Sequence, residues 1–158
     1  MNKTVAEIMT PSPLTVTPTT PLPEAISILA KNQLSGLPVV DEDKKLVGVI
    51  SESDLMWQET GVEPPPYIMI LDSVIYLENP SRYENEIHKA LGQTVGEVMT
   101  KKPMTINRDD TVKKAAQIFH DKKISRLPVI DNDDNVVGIV TQGDIIRAMA
   151  SEKETDNR

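Results

Sequence analysis

The sequence contains no cysteine and few aromatic residues, and both shortages exclude classes of protein. Without cysteine the chain has no disulfide, no thiolate metal site and no cysteine nucleophile. Aromatic residues make up only 3% of the chain, so we expect an aliphatic hydrophobic core. The formal net charge of −7 disfavours binding to nucleic acid through phosphate neutralisation. A small anionic ligand in a local basic pocket is still compatible with that charge.

Long hydrophobic runs are also missing. The first ten residues lack the apolar run of a signal peptide. The most apolar later stretch, residues 67–77, is too short to span a bilayer and contains Asp72. We therefore expect a cytoplasmic protein without a membrane segment. At 158 residues the chain is one domain, or two half-domains that are too small to be stable apart.

The chain does contain an internal repeat, with an offset of 90 residues from Thr4 to Thr94. TVAEIMT aligns with TVGEVMT, SGLPVVD with SRLPVID, and LVGVISESD with VVGIVTQGD, all without a gap. Such a repeat indicates a tandem duplication. We place copy one at 1–57, an insert at 58–93, copy two at 94–150 and a polar, frayed tail at 151–158.

Each copy has the pattern of a short leading helix followed by a β-α-β-β-α unit. An amphipathic helix is indicated by apolar residues at i, i+3, i+4 and i+7 in both copies: Leu22, Ala25, Ile26 and Leu29, then Val112, Ala115, Ala116 and Phe119. Apolar runs on both sides of a charged turn, in 37–50 and 127–140, indicate a β-hairpin. We predict an α+β fold in which two pseudo-symmetric repeats pack as one module with an inserted linker.

Prolines refine this prediction. Thr20 is expected to cap the first long helix, with Pro21 at the first helical position. Pro38 and Pro128 cannot donate a ladder hydrogen bond, so each is expected at a strand start or at a sheet edge.

The insert has a different composition from the two copies. Residues 67–77 are too apolar for a surface loop, so we expect them to lie on the duplicated body or on a second subunit. A helix is expected from Ser81 to about Leu91.

The motifs GVISESD at 48–54 and GIVTQGD at 138–144 are the candidates for chemistry. A hydroxyl residue three positions before an aspartate is a capping box at a helix start. The same helix N-terminus suits a phosphate, and a carboxylate in its first turn can accept both hydroxyls of a ribose. The glycine within each strand indicates close approach of another backbone or of a ligand. The capping and ligand-binding interpretations are compatible.

Other candidates are weaker. His88 and His120 have no second imidazole nearby in the sequence, so we expect surface positions and no metal site. No nucleophile–base pair is evident, which argues against an enzyme.

The order of these motifs, present twice, resembles a pair of cystathionine-β-synthase (CBS) domains, also called a Bateman module. The segment PPYI…YLENP in the insert is similar to the linker of stand-alone prokaryotic CBS-pair proteins. The resemblance implies a regulatory, non-catalytic module that binds AMP, ADP, ATP or S-adenosylmethionine between the copies. It also implies a homodimer that signals to a partner protein. A ligand-free dimerisation or scaffold module is the alternative.

The resemblance also assigns residues to two clefts, each using both copies. In one cleft Thr141 would lie near phosphate, Asp144 would bind ribose and Arg126 would be the phosphate cation, with adenine against Thr17 and the backbone of Leu34, Ser35 and Gly36. The other cleft would use Ser51 and Asp54 with Asn107, Ile124, Ser125 and Arg126.

The two clefts are not equivalent, because Gly36 stands where copy two has Arg126. A charge-assisted contact is worth about 1.5–3 kcal/mol, which corresponds to roughly tenfold or more in affinity. We therefore predict tighter binding of phosphorylated ligands in the Asp144 cleft.

Overall fold

The computed structural model describes residues 2–62, 67–76 and 80–157, and within them it contains seven helices and nine short strands. Copy one forms α1 (Val5–Ile8), β1 (Thr10–Pro11), α2 (Leu22–Asn32), β2 (Gly36–Val40), β3 (Leu46–Ser51) and α3 (Glu52–Thr60). The insert forms β4 (Tyr67–Ile70), β5 (Ser73–Tyr76) and α4 (Pro80–Leu91). Copy two forms α5 (Val95–Val98), β6 (Thr100–Lys101), β7 (Ile106–Asn107), α6 (Val112–Lys122), β8 (Arg126–Ile130), β9 (Val136–Thr141) and α7 (Gln142–Asp156). The predicted α+β fold is confirmed.

Each of the two larger sheets combines strands from both copies. One sheet has the order β1-β9-β8-β7, in which Thr10 of copy one lies opposite Ile139. The other has the order β2-β3-β6, in which Thr100 of copy two lies opposite Val49. The insert strands β4 and β5 form a separate two-stranded sheet.

The leading helix of each copy likewise hydrogen-bonds to the opposite copy. The N–H of Val5 in α1 donates to the carbonyl of Asp110 at 2.8 Å, and the N–H of Val95 in α5 donates to the carbonyl of Thr20 at 2.9 Å. The chain accordingly divides into two compact units that differ from the sequence copies. The Asp144 unit comprises Met1–Thr15, Val40–Val47 and Lys102–Arg158, and the Asp54 unit comprises Val16–Val39 and Gly48–Lys101.

Each unit has its own core, which is aliphatic apart from Phe119 in the Asp144 unit. The core of the Asp144 unit consists of Val5, Ile106, Val112, Ala115, Phe119, Leu127, Val129, Val140 and Ile145. The buried apolar residues of the Asp54 unit include Val16, Leu22, Ala25, Leu29, Leu37, Val39, Ile50, Ala90, Val95 and Val98. Three of the four predicted stripe positions are buried in each long helix. The fourth is exposed in both, at Ile26 and Ala116.

The two strand glycines allow the exchanged strands to approach. A Cβ at Gly48 would lie 2.6 Å from Sδ of Met99 and 2.9 Å from the carbonyl oxygen of Thr100. At Gly138 a Cβ would lie 2.9 Å from the carbonyl oxygen of Thr10. The close approach that the sequence indicated is therefore to another backbone, which belongs to the opposite copy.

Two of the proline predictions were wrong. Pro21 is the N-cap of α2 and not its first helical residue. Its equivalent in copy two, Thr111, is the N-cap of α6 and accepts from the N–H of Lys114, so the cap falls at the same position in both copies. Pro128 lies within β8, between β7 and β9. It is tolerated there because the two residues of β7 pair with Val129 and Ile130, beyond the proline. Pro38 lies on β2, at the edge of its sheet as predicted.

The insert strands β4 and β5 form a hairpin that carries several exposed apolar side chains. Leu71 at its turn is 94% exposed, and Met69, Ile70, Val74 and Ile75 are also exposed. The expectation that this stretch lies on the duplicated body is therefore wrong for these side chains, whereas Leu77 falls outside the described residues. Contact with a second subunit stays a prediction.

The structure contains the predicted insert helix, but its C-terminal tail differs from the prediction. The predicted insert helix is confirmed as α4. The tail is not frayed at Ser151, because α7 continues to Asp156. Among the described helices, none is both long and apolar enough to cross a membrane.

Candidate ligand-binding site

The predicted capping boxes are present at the start of both closing helices. Ser51 and Thr141 have extended backbones, and each precedes the first residue of its helix. The N–H of Ser51 donates to Oδ2 of Asp54 at 3.0 Å, and the N–H of Thr141 donates to Oδ2 of Asp144 at 2.8 Å. The capping interpretation is therefore confirmed for both aspartates.

Around Asp54, further donors come from the insert and from copy two. Asp54 is 5% exposed. Its Oδ1 atom accepts from Nζ of Lys89 at 2.5 Å and from Oγ1 of Thr100 at 2.9 Å, while its Oδ2 also accepts from Oγ of Ser51 at 3.1 Å. We call Ser51, Asp54, Lys89 and Thr100 the Asp54 cluster. A carboxylate has about four lone-pair sites, and all of them are used here.

Packing of the insert helix explains why Lys89 reaches Asp54. Ala90 in α4 is buried, and α4 packs against α3, which carries Asp54 in its first turn. Nε2 of Gln58 in α3 donates to the backbone carbonyls of Lys89 and Gly92. Lys89 therefore approaches Asp54 from a helix that is held by both core packing and hydrogen bonds.

Asp144 has a simpler environment. It is 7% exposed, and its Oδ2 atom also accepts from Oγ1 of Thr141 at 3.1 Å. Its Oδ1 atom accepts from Nη2 of Arg147, at 2.5 Å, one turn later in the same helix. We call Thr141, Asp144 and Arg147 the Asp144 cluster. From the part of the chain that the structure describes, Asp144 thus accepts three hydrogen bonds, which leaves one acceptor position on Oδ1.

The predicted residues of copy two lie close to the start of α7. Arg126, which is half-buried, lies opposite Thr141 in the β8–β9 pair. The carbonyl of Ser125 accepts from the N–H of Gln142 at 3.4 Å, and the carbonyl of Ile124 accepts from its Nε2 at 3.4 Å.

Asn107 is part of a different local network in the same unit. Its Nδ2 donates to Oδ1 of Asn132 at 3.0 Å, and its Oδ1 accepts from the N–H of Asp109 at 2.9 Å. Both contacts are with neighbouring turns, so the structure gives Asn107 a role in loop geometry.

The predicted residues of copy one lie in the Asp54 unit. The carbonyl of Ser35 accepts from the N–H of Glu52, the first residue of α3, at 3.1 Å. Gly36 beside it is buried, and Leu34 is partly exposed. The hydroxyl of Thr17 contacts the Thr20 hydroxyl at 3.1 Å. The structure therefore brings each aspartate together with the SxL segment of its own copy. The combination of residues from opposite copies stays a prediction.

Sequence reasoning missed Lys89, Thr100 and Arg147 as aspartate partners. Thr100 belongs to the repeated MT motif, and its position in a strand beside Gly48 was a usable signal. Arg147 lies three residues after Asp144, which is a contact distance on a helix. Lys89 had no such signal, because the insert has no counterpart in the repeat.

A cavity of about 480 Å³ adjoins the Asp54 cluster. Its lining combines the insert helix with α5 and β6: Asn85, His88, Lys89, Gly96, Glu97, Met99, Thr100 and Lys101. His88 is exposed there, and His120 is exposed on α6, as predicted. No group of three or more potential metal ligands occurs among the described residues.

Lowered pKa values occur at two carboxyls outside these clusters. The N–H of Thr4 donates to Glu7 at 2.7 Å and lowers the pKa of that carboxyl below its ordinary 4.5. The N–H of Asn135 donates to Asp131 at 3.0 Å and lowers the pKa of that carboxyl below its ordinary 3.8. Glu7 is exposed at a helix start, and Asp131 is half-buried in the copy-two hairpin turn.

Comparison with known proteins agrees with this architecture. The sequence profile of the CBS domain matches residues 5–58 and 95–151, so the chain belongs to the CBS-domain family and contains a tandem pair. The CBS domain-containing protein CBSX1, chloroplastic, of Arabidopsis thaliana is 35% identical over 161 residues, covering 98% of this chain and 67% of CBSX1.

Two solved structures extend the likeness. The crystal structure of CBSX2 in complex with AMP is 30% identical, with a TM-score of 0.81 over 95% of this chain and 98% of the other. The CBS domain pair of MJ0100, in complex with 5′-methylthioadenosine and S-adenosyl-L-methionine, is 28% identical. Its TM-score is 0.69 over 96% of this chain and 99% of the other. Both of those proteins hold adenosine compounds.

Proposed function

We propose that this protein is a regulatory sensor that binds an adenosine ligand (AMP, ADP, ATP or S-adenosylmethionine) and signals to a partner protein. The observation that carries the proposal is the geometry of Asp144. Its carboxylate is held by a capping box at a helix N-terminus, and one oxygen retains an acceptor position. The adenosine compounds in the structures of CBSX2 and MJ0100 support the same ligand class.

Within this proposal each residue has a chemical role. Asp144 accepts hydrogen bonds from the ribose hydroxyls. The N-terminus of α7 carries a partial positive charge that favours the phosphate. Arg126, beside Thr141 in the adjacent strand, supplies a full positive charge. Adenine is expected against Thr17 and the backbone of residues 34–36.

The regulatory role does not require catalysis or a catalytic cofactor. A bound ligand shifts the population of conformations only by its difference in affinity between them. The partner protein would then recognise the favoured conformation.

A second copy of this chain is also part of the proposal. Equivalent apolar side chains are exposed on the two closing helices, with Met56 at 54% on α3 and Ile146 at 65% on α7. The exposed insert hairpin adds Leu71 and its neighbours. These surfaces support a homodimer, which sedimentation of the purified chain would test.

A ligand-free scaffold is the alternative function. The observation that favours it is that both aspartates already have a complete structural role as helix caps. The two functions differ in one measurable respect, because only a ligand-binding protein gains stability from adenosine compounds.

Thermal unfolding with and without millimolar AMP, ATP or S-adenosylmethionine separates the two functions. A ligand at 100 times its Kd stabilises the native state by about 2.7 kcal/mol, so the midpoint should rise. Asp144→Asn should remove the shift. Asp121→Asn, at an exposed position of α6 in the same unit, is the matched control and should retain it. If no adenosine compound shifts the wild-type midpoint, the scaffold function is favoured.

A further inference from the structure

The Asp54 cluster contains a cation that does not come from either repeat. Lys89 belongs to the insert helix α4, and its Nζ lies 2.5 Å from Oδ1 of Asp54. We propose that Lys89 occupies the position of a ribose at Asp54, so that the chain binds one adenosine ligand at Asp144 and none at Asp54. This inference rests on the proposed function. It adds that the insert prevents ligand binding at the aspartate of copy one.

The two aspartates differ in how many acceptor positions are free. Two adjacent ribose hydroxyls need two free lone pairs on a carboxylate. Asp54 has none, because Lys89 and Thr100 occupy Oδ1 while the N–H and hydroxyl of Ser51 occupy Oδ2. Asp144 has one free position, and it gains a second when Arg147 rotates away.

Lys89 can leave its aspartate less easily than Arg147 can. The Lys89 side chain is 23% exposed, and its Nζ also donates to the carbonyl of Val98 at 3.0 Å. The Arg147 side chain is 72% exposed and is a single turn from its partner on the same helix. A ligand displaces Arg147 into solvent, but it must break a half-buried hydrogen-bond network to displace Lys89.

The backbone that carries Lys89 is held by packing and by hydrogen bonds. The neighbouring Ala90 is buried, and Gln58 donates to the carbonyls of Lys89 and Gly92. Lys89 therefore cannot leave Asp54 by a movement of α4 without disrupting the packing of α4 on α3. Opening of the copy-one site requires either a rotation of the lysine side chain alone or release of the whole insert helix.

Removing the Lys89 amine should create a ligand site. In Lys89→Met, Asp54 keeps the donors of Ser51 but loses its cation, so its buried Oδ1 has one free acceptor position beside Thr100, which lines the adjoining cavity, and it gains a second when the Thr100 hydroxyl rotates away. Burial of an incompletely paired carboxylate is unfavourable, which increases its tendency to accept from a ligand hydroxyl.

Titration calorimetry with AMP tests the inference through stoichiometry. The wild-type chain and the control Lys31→Met, an exposed lysine on α2 of the same unit, should bind one AMP. Lys89→Met should bind two, and adding Asp54→Asn to it should restore one. Lys89→Gln keeps a polar side chain without the charge and serves as a second variant if Lys89→Met does not fold.

The possible failures are distinguishable. One AMP bound by both the wild type and the folded Lys89 variants would overturn this inference and leave the proposed function intact. Loss of AMP affinity in Lys89→Met would also overturn it, since Lys89 would then be a ligand contact. Absence of AMP binding in the wild type and in every variant would refute the proposed function and this inference together.

Discussion

The two aspartates occupy equivalent positions in a duplicated chain, yet they have different partners. Asp54 and Asp144 both accept from the backbone and hydroxyl of a residue three positions earlier. Beyond that cap, Asp54 contacts an insert lysine and a threonine of the other copy, whereas Asp144 contacts an arginine of its own helix. Duplication has kept the helix cap, and the insert has changed the chemistry of one of the two sites.

This difference would not be found by aligning the copies. The residues that distinguish the clusters are Lys89, which has no equivalent in the repeat, and Arg147, whose equivalent is Trp57. The sequence-based expectation of unequal sites rested on Arg126 in copy two against Gly36 in copy one. The contact of Lys89 with Asp54 is a separate reason to expect a tighter site at Asp144, and it acts at the ribose of the proposed ligand, whereas Arg126 acts at the phosphate.

The largest expected effect is the loss of stability when the Asp54 charge is removed. In Asp54→Asn an NH2 group replaces one carboxylate oxygen, so it faces at least one hydrogen-bond donor. Lys89 also loses its anionic partner. Removing one member of a buried pair costs about 3–5 kcal/mol, and we expect about 2–3 here because Lys89 is partly exposed. Asp144→Asn disturbs mainly a cap and should cost about 1 kcal/mol. Denaturant unfolding of the two variants measures the difference.

The double variant Lys89→Met/Asp54→Asn is the control for this comparison. Removing both charges should recover part of the stability lost in Asp54→Asn, since no unpaired cation remains. Equal losses in Asp54→Asn and Asp144→Asn would contradict the distinction between the two clusters.

A smaller effect is expected at the arginine of the Asp144 cluster. Arg147→Ala removes an exposed ion pair, and such pairs contribute about 0.2–1 kcal/mol. The unfolding equilibrium constant and the AMP dissociation constant should therefore each change by less than about fivefold. Urea unfolding and calorimetry of this variant measure both quantities. An AMP affinity reduced by a hundredfold would show that Arg147 is itself a ligand contact.

Local features were the most predictable from sequence. The helix stripe, the hairpin and the capping boxes depend on residues close together in the chain, and their spacing was sufficient to find them. The repeat added the likeness between the copies. Prolines were less predictable, because whether Pro128 lies within a central strand depends on where the short strand β7 ends.

Long-range exchange was not predictable from these patterns. Nothing in the spacing shows that α1 packs in the core of copy two or that β6 pairs with β3. The contact between Lys89 and Asp54 depends on that exchange, because Thr100 and the carbonyl of Val98 complete the site. The candidate aspartates were therefore found from sequence, while the residue that distinguishes them required the tertiary structure.

The smallest expected effect compares the caps of the two leading helices. Glu7 accepts from the N–H of its own cap residue, Thr4, at 2.7 Å, whereas Glu97 accepts from the N–H of Gln93, one residue before the cap, at 3.0 Å. Glu7→Gln and Glu97→Gln should each lower the thermal midpoint slightly at neutral pH. Glu7→Gln should have the larger effect because it removes the negative charge from a complete capping box at the start of α1.

The Glu7 contribution should also depend on pH in a definite direction. The folded state lowers the pKa of Glu7, so the folded chain binds fewer protons at this group than the unfolded chain does. Its stabilisation is therefore fully present above the ordinary value of 4.5 and is lost as the pH falls through the lower folded pKa. The difference in midpoint between wild type and Glu7→Gln should shrink over that range, because other carboxyls contribute equally to both proteins. A difference that stays constant from neutral to acidic pH would mean that the charge of Glu7 does not stabilise α1.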